Sequence, residues 1–360
     1  MKRPTIVDIA KRAGVTKAAV SFALNGQPGV SDSTRERILA IATDLGFQPS
    51  SAARALSDGR AGALGLVIDR PAETIGVEPF FQQLIAGIQT ELSRAHVALL
   101  FAMAEDQQAE IELYRSWWGQ RRVDGVFLID LQVRDRRVSA LRDLRMPAVV
   151  FGSPRGTGPL PAIWQNDAEV IETVVAYLAG LGHRRVARVG GIQRYWHSKL
   201  RTESFGKVTA AAGLEAVSVE SDYTGEHGAD ATRELLLSES PPTAILYDND
   251  LMAVAGLSAA QQMGVDVPGG LSVMAWDDSA LCQLVHPSIT ALRRDIAGIG
   301  AEGARRLMLL ADGGEVGHLA EPLPVLTVRG STGPAAGSGL SAVVAAGHTQ
   351  SPSRPVLARD

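Results

Sequence analysis

Two sets of side chains in this sequence have the types and placement to do chemistry. The first comprises Lys17, Ala18, Ser21 and Phe22, which fall on one side of a short helical run while Val20 and Leu24 fall on the other. A cationic, hydroxyl-bearing and partly apolar outer face suits a polyanion. The second comprises Phe80, Phe81, His197, Arg201, Asn249, Asp250 and Asp277, which follow apolar stretches that read as strands. Ligands of open α/β folds bind beyond the carboxyl ends of the strands, so these are candidate ligand contacts. Carboxylate, amide and guanidinium groups give the multidentate hydrogen bonds that vicinal hydroxyls need, and an aromatic ring covers the apolar face of a sugar. The combination favours a carbohydrate. Plainer readings stand beside it: Phe80 or Phe81 as core, Arg201 paired with Asp250, and Asn249 as a helix cap.

The patterns that carry catalysis are missing. There is no G-x-S-x-G elbow, no Walker loop, no metal-ligand spacing and no paired catalytic cysteine and histidine. The sequence therefore reads as a non-enzyme that needs neither cofactor nor metal. Cys282 is the single cysteine, which forbids an intrachain disulfide and makes the cytoplasm the expected compartment. The start Met1-Lys2-Arg3 leads into a polar amphipathic segment, and no run is long and apolar enough to span a bilayer, so neither export nor a membrane partner is expected. His183, in Gly182-His183-Arg184, reads as structural, and Trp117, Trp118 and Trp164 as packing.

The elements that must position these groups divide the 360 residues into unlike parts. Residues 1–60 carry nine Lys and Arg against five acids, whereas the rest carries 26 against 34. A basic head and an acidic body should meet different partners. Residues 5–47 read as three short helices. Thr5 and Asp8 form a capping box, Gly14 ends the first helix, Thr16 caps the second, Asn25-Gly26 closes it, and Ser31 precedes the third, which runs to Gly46. A small-residue segment follows between Pro49 and Gly59, long enough for about two helical turns and marginal as a helix on its own.

From Ala61 short apolar strands alternate with amphipathic helices: Leu64–Ile68, Val97–Ala102, Val123–Ile129, Ala148–Phe151, Arg185–Val189, Ala244–Tyr247 and Leu271–Ala275. Such alternation implies parallel sheets covered by helices. About 270 residues is long for one sheet, and a break near Pro159–Ile163 divides the body into two similar subdomains. The expected organisation is a helical domain over 1–47, a hinge over 48–60, a sensor over 61–330 and a disordered tail over 331–360. Within the sensor, one subdomain takes 61–163 and 292–322 and the other 164–291 and 323–330.

With its elements in this order the sequence resembles the lactose/galactose repressor (LacI-type) family. The head carries Thr5-Ile6-Val7-Asp8-Ile9-Ala10, Ala13-Gly14-Val15-Thr16, Val20-Ser21, Leu24-Asn25-Gly26, Val30-Ser31, Thr34-Arg35 and Leu45-Gly46-Phe47. Pro49 and Ala52-Ala53-Arg54-Ala55-Leu56 match the family's hinge. Arg122-Val123-Asp124-Gly125, Gly182-His183-Arg184-Arg185, Asn249-Asp250 and Trp276-Asp277-Asp278 continue the match, which runs from about Thr5 to Gly330.

The resemblance implies an all-α helix-turn-helix headpiece joined to an α/β periplasmic-binding-protein-like sensor of two doubly wound parallel-sheet subdomains. It implies a repressor that binds a pseudo-palindromic double-stranded operator as a homodimer and answers to a small-molecule effector. Lys17, Ala18 and Phe22 fall on base-reading positions, with Thr5, Thr16, Ser21, Asn25, Ser31 and Thr34 as further DNA contacts. Leu56 falls on the residue that wedges between base steps in the minor groove, with Ala53 allowing close packing of a partner hinge and Arg54 meeting phosphate. Arg201, Asp250 and Asp277 fall on effector positions.

Four departures from the family pattern stand out. Phe22 replaces a long polar side chain, Ala19 a hydroxyl, Ala275 a glycine, and Trp276 a Phe or Tyr. Ala18 and Phe22 are able to contact a thymine methyl but cannot make bidentate hydrogen bonds, so the readout should be less polar. A purine-like corepressor is the alternative to a sugar, disfavoured by Gly152-Ser153, which offers neither ring nor acid. A solute-binding protein of a transport system would share the cleft but not the basic head.

Overall fold

The computed structural model describes residues 4–47 and 60–336 and divides into two compact units, Met1–Ala61 and Gly62–Asp360. The expected hinge residues Ala53, Arg54 and Leu56 lie outside the described residues.

In the first unit, α1 (Ile6–Ala13), α2 (Lys17–Leu24) and α3 (Asp32–Asp44) pack around Ile9, Ala10, Ala13, Val20, Ala23, Ile38 and Ala42. The spacing of these apolar residues puts them on the inner side of each helix. Gly14, in the left-handed region at φ 65°, makes the tight turn between α1 and α2. The inward positions of α2 are Val20 and Ala23, with Leu24 only partly covered. Arg35 of α3 donates to the carbonyls of Phe22, Ala23 and Gln27, so one guanidinium satisfies the end of α2 and fixes it to α3.

Among its described residues the second unit holds two six-stranded sheets. The first is built from β1 (Ala63–Ile68), α4 (Ala72–Val77), α5 (Pro79–Arg94), β2 (Ala98–Met103), α6 (Gln107–Gly119), β3 (Val126–Leu128), α7 (Arg136–Leu144), β4 (Ala148–Phe151) and β5 (Ala162–Trp164). The second follows as α8 (Asp167–Gly180), β6 (Arg185–Gly190), α9 (Trp196–Ala211), β7 (Glu215–Glu220), α10 (Gly225–Leu237), β8 (Ala244–Tyr247), α11 (Asp250–Gln262), β9 (Ser272–Ala275), α12 (Ala280–Leu284) and β10 (Thr290–Arg293). The chain then returns through α13 (Ile296–Ala311) and β11 (Leu319–Ala320) to the first sheet, and ends with β12 (Val325–Thr327) in the second. The strand orders are β11-β5-β4-β3-β1-β2 and β12-β10-β9-β8-β6-β7, all parallel except β12 against β10. Parallel sheets covered by helices require strands that are apolar on both faces, and β4 and β8 are buried along their whole lengths.

The chain crosses between sheets three times, after β5, after β10 and after β11, and the three passages are tied together. Glu321 N donates to Trp164 O at 2.8 Å, and Arg294 Nη2 donates to Glu321 at 3.1 Å. The return helix α13 lies against α5 at very close range, since a Cβ on Gly87 would fall 1.9 Å from Ala297 O and one on Gly300 2.3 Å from Leu84 O.

Three expectations need correction. The second crossing falls after Arg293 rather than before residue 292, because β10 pairs with β9 and β12 in the second sheet. Residues 331–336 are not a tail: Ser331 is fully buried, donates to Val273 O and accepts from Thr290 N, while Gly333 engages His183 and Ser272. The Ser331 hydroxyl satisfies strand backbone, a role without apolar periodicity to announce it. Trp164 borders the cleft described below instead of serving as packing alone, whereas Trp117 is core. Residues 337–360 lie outside the described residues.

Candidate functional site

In the first unit the functional face is assembled by caps. Thr16 Oγ1 accepts from Ala19 N at 3.2 Å and Ser31 Oγ from Thr34 N at 3.4 Å, while Asp8 accepts from Thr5 N and from the Thr5 hydroxyl at 2.8 and 2.7 Å. Thr5, Thr16 and Ser31 thus stand at the N-termini of the three helices, where free N–H groups and the helix dipole favour anions. Lys17, Ala18, Phe22 and Asn25 are exposed, and Ser21 and Thr34 half-buried. Phe22 is 38% exposed and its ring is steadied against Gly29, whose Cβ would meet it at 3.0 Å. A single exposed ring is ordinary on a protein surface, and Phe22 is a candidate contact only through its place on the outer face of α2.

In the second unit a cleft partly open to solvent runs between the two sheets. Its walls come from the carboxyl ends of the strands: Arg70 after β1, Asp130 after β3, Trp164 of β5, Asp248 after β8 and Asp277 after β9. Of the expected residues, Phe80, His197, Arg201 and Asp277 line it. Phe81, Asn249 and Asp250 do not. Phe81 is 2% exposed and packs in the first core, edge-on to Phe80. Asn249 caps α11 by accepting from Met252 N, and its amide donates to Tyr223 O and Glu78. Asp250 accepts from the backbone N–H of Asp277 and Ser279, so it holds the loop that presents Asp277.

Arg201 is buried and pairs with Asp167 at 3.2 Å and Asp248 at 3.9 Å, not with Asp250. Its guanidinium lies 3.8 Å from the centre of the Trp276 ring. The bulk of Trp276 therefore goes beneath Arg201, in the second core, rather than into the space beside Asp277. Asp248 is itself clamped by Arg188, both side chains fully buried. Arg294 bridges Asp277 at 3.2 Å and Glu321 at 3.1 Å. Arg70 pairs with Asp130 at 2.8 Å and lies 4.6 Å from the ring centres of both Tyr195 and Tyr223. It reaches from the first sheet to rings supplied by the second.

Burial dominates the proton affinities of Glu78, Asp277 and His197. It pushes the Glu78 carboxyl up to about 7 against the field of Arg70, and the Asp277 carboxyl up to about 6 against Arg294. It pulls His197 down to about 4, so this imidazole is neutral at physiological pH and shares a 2.7 Å hydrogen bond with Tyr223 Oη. Among the described residues four polar atoms on the cleft wall have no partner: Arg70 Nη1, Glu78 Oε2, Gln165 Oε1 and Arg294 Nε. Two donors, two acceptors and the ring of Phe80 can meet a compact, hydroxyl-rich molecule.

Arg70, Glu78, Asp130, Asp167, Tyr223 and Arg294 are not among the sequence candidates. The strand-end rule, extended to the residues just after Ile68 and Leu128, reaches Arg70 and Asp130; Glu78, Asp167 and Tyr223 give no comparable signal.

Comparison with known proteins accounts for both units. Residues 5–50 match the family described as bacterial regulatory proteins, lacI family, and residues 175–332 match a periplasmic binding protein-like domain. The HTH-type transcriptional regulator MalR of Streptomyces coelicolor is 30% identical over 348 residues, 92% of this chain and 97% of the relative. The chain belongs to the lacI family of bacterial regulatory proteins. It is a helix-turn-helix transcriptional regulator, not an enzyme. Among solved structures, a lacI-family regulator from Bifidobacterium animalis is 36% identical with a TM-score of 0.71, covering 77% of this chain and all of that one. The transcriptional regulator CelR in complex with cellobiose is 28% identical with a TM-score of 0.69, covering 91% of this chain and all of CelR. This lacI-family chain has no described helix long and apolar enough to cross a membrane.

Proposed function

We propose that the protein is a cytoplasmic, homodimeric repressor whose affinity for a pseudo-palindromic operator is set by a carbohydrate effector in the cleft. The observation that carries the effector reading is the cleft wall itself, with its apolar cover and four unpartnered polar atoms. The cellobiose held by CelR, a relative matched over 91% of this chain, supports the same class of ligand.

In this reading Arg201 and Asp277 grip hydroxyls, His197 and Tyr223 add hydrogen bonds, and Phe80 covers a ring face. Lys17, Ala18 and Phe22 face base edges, with Thr5, Thr16, Ser21, Asn25, Ser31 and Thr34 on the backbone or neighbouring bases. Ala53, Arg54 and Leu56 form the minor-groove hinge, by sequence alone. The effector acts by changing the angle between the two subdomains, a coupling typically of about 1–3 kcal/mol.

The test is a thermal-shift screen of sugars, repeated with Arg201→Ala and Asp277→Ala, followed by gel-shift titration on the protein's own promoter region. A sugar that stabilises the wild type, loses its effect in both variants and changes operator affinity is the expected result. Equal stabilisation of wild type and variants discards the cleft, and no shift of the promoter fragment at moderate salt discards the operator.

A further inference from the structure

The charges around the cleft do not balance. Six carboxylates, those of Glu78, Asp130, Asp167, Asp248, Asp277 and Glu321, stand on its wall. Among the described residues four guanidiniums serve them: Arg70 pairs with Asp130, Arg188 with Asp248, Arg201 with Asp167, and Arg294 with both Asp277 and Glu321. Glu78 is left over. It is 6% exposed, its Oε1 accepts from Asn249 Nδ2 at 3.3 Å, and its Oε2 has no partner. Arg70, the cation whose field acts most on Glu78, is committed elsewhere, held by Asp130 and placed against the rings of Tyr195 and Tyr223.

A buried carboxylate without a cation is costly, and proteins answer it by protonation or by a partner. Glu78 takes the first course in the unliganded cleft, since burial raises its carboxyl to about 7. The second course would come from a ligand. A neutral hydroxyl meets only the protonated carboxyl, whereas a protonated amine holds Glu78 as the carboxylate and gives it both a hydrogen bond and a compensating charge.

We propose that the cleft prefers an amine-bearing sugar over its neutral counterpart, with the ammonium seated on Glu78 Oε2 and the hydroxyls on the remaining free donors and acceptors. Glu78 is then the residue that selects within the carbohydrate class. This rests on the carbohydrate reading given above. Asn249, which caps a helix of the second subdomain, donates to the other oxygen of this carboxyl, so the seat lies where groups of the two subdomains meet.

The experiment compares calorimetric binding of D-glucosamine with D-glucose, and of D-galactosamine with D-galactose, to the full chain at pH 7. At least one amine should bind about tenfold or more tightly than its neutral partner, the scale of one charge-assisted hydrogen bond. In Glu78→Gln, which keeps the shape and the contact to Asn249, that preference should fall to within about twofold. Neutral sugars binding as well as their amines to the wild type would overturn the amine preference and leave the carbohydrate reading intact. No binding by either member of either pair would overturn the amine preference, and the carbohydrate reading would then fall only if the thermal-shift screen of sugars also finds no ligand. An amine preference that survives in Glu78→Gln would overturn the seat at Glu78. The wild-type comparison stands even where the variant folds poorly.

Discussion

The headpiece and the cleft solve recognition in opposite ways. On the headpiece the candidate contacts are exposed or half-buried, and its core consists of seven small or medium side chains. In the cleft nearly every charged group is buried and bound to another, and recognition is left to the few atoms the network does not satisfy. A polymer approaching from outside is met by many weak, screened contacts, whereas a small molecule enclosed by protein is judged by each unpaired atom. Damage should therefore be steep in the second unit and graded in the first.

The sharpest test of that contrast is Arg188→Leu. It leaves the fully buried Asp248 on the cleft wall with only the Gly191 N–H and a distant Arg201 at 3.9 Å, so stability should fall by about 3 kcal/mol. All five tryptophans, at positions 117, 118, 164, 196 and 276, lie in the second unit, so urea unfolding followed by tryptophan fluorescence reads this unit alone. A loss under about 1 kcal/mol would mean that the network is dispensable.

The next effect depends on pH. Glu78 has a carboxyl raised from its ordinary 4.5 to about 7 in the fold, so its contribution is complete below the unfolded value and is lost as pH rises through about 7. Asp277, raised to about 6, acts in the same direction. His197, lowered to about 4, acts oppositely and costs stability as pH falls below 6.5. Glu78→Gln should flatten the decline in stability between about pH 5 and 7.5 by an amount on the order of 3 kcal/mol. An unchanged slope would show that Glu78 is hydrated and ionised.

The smallest effect belongs to the headpiece. Lys17→Ala should weaken binding to the operator by about 1 kcal/mol more than binding to unrelated DNA, measured by fluorescence anisotropy on both duplexes over a series of salt concentrations. An equal loss on all sequences with the salt slope lowered by about 1 would place Lys17 on a phosphate instead.

The same contrast explains what can be read in the sequence. The head declares itself, because caps at Thr16 and Ser31 and the period of Ile9, Val20 and Ile38 are local signals. Strands buried on both faces, such as Ala148–Phe151 and Ala244–Tyr247, are equally plain. Glu215–Glu220 escapes because this edge strand is exposed along most of its length and carries no apolar run, and Leu319–Ala320 is too short for any pattern. In the cleft, His197, Arg201 and Asp277 can be found by the rule that ligands gather beyond strand ends. Phe81 misleads because one residue along a helix exchanges solvent for core. Glu78 and Tyr223 have no local signature at all, since what matters about them is which groups from distant segments come near.

The three chain passages between the sheets carry a mechanical consequence. Bonded side by side through Trp164, Arg294 and Glu321, they act as a leaf spring rather than as a ball joint. Such a flexure yields readily about one axis and resists twisting and shear. Under the function proposed above, the occupant of the cleft would act through a single scalar, the opening angle.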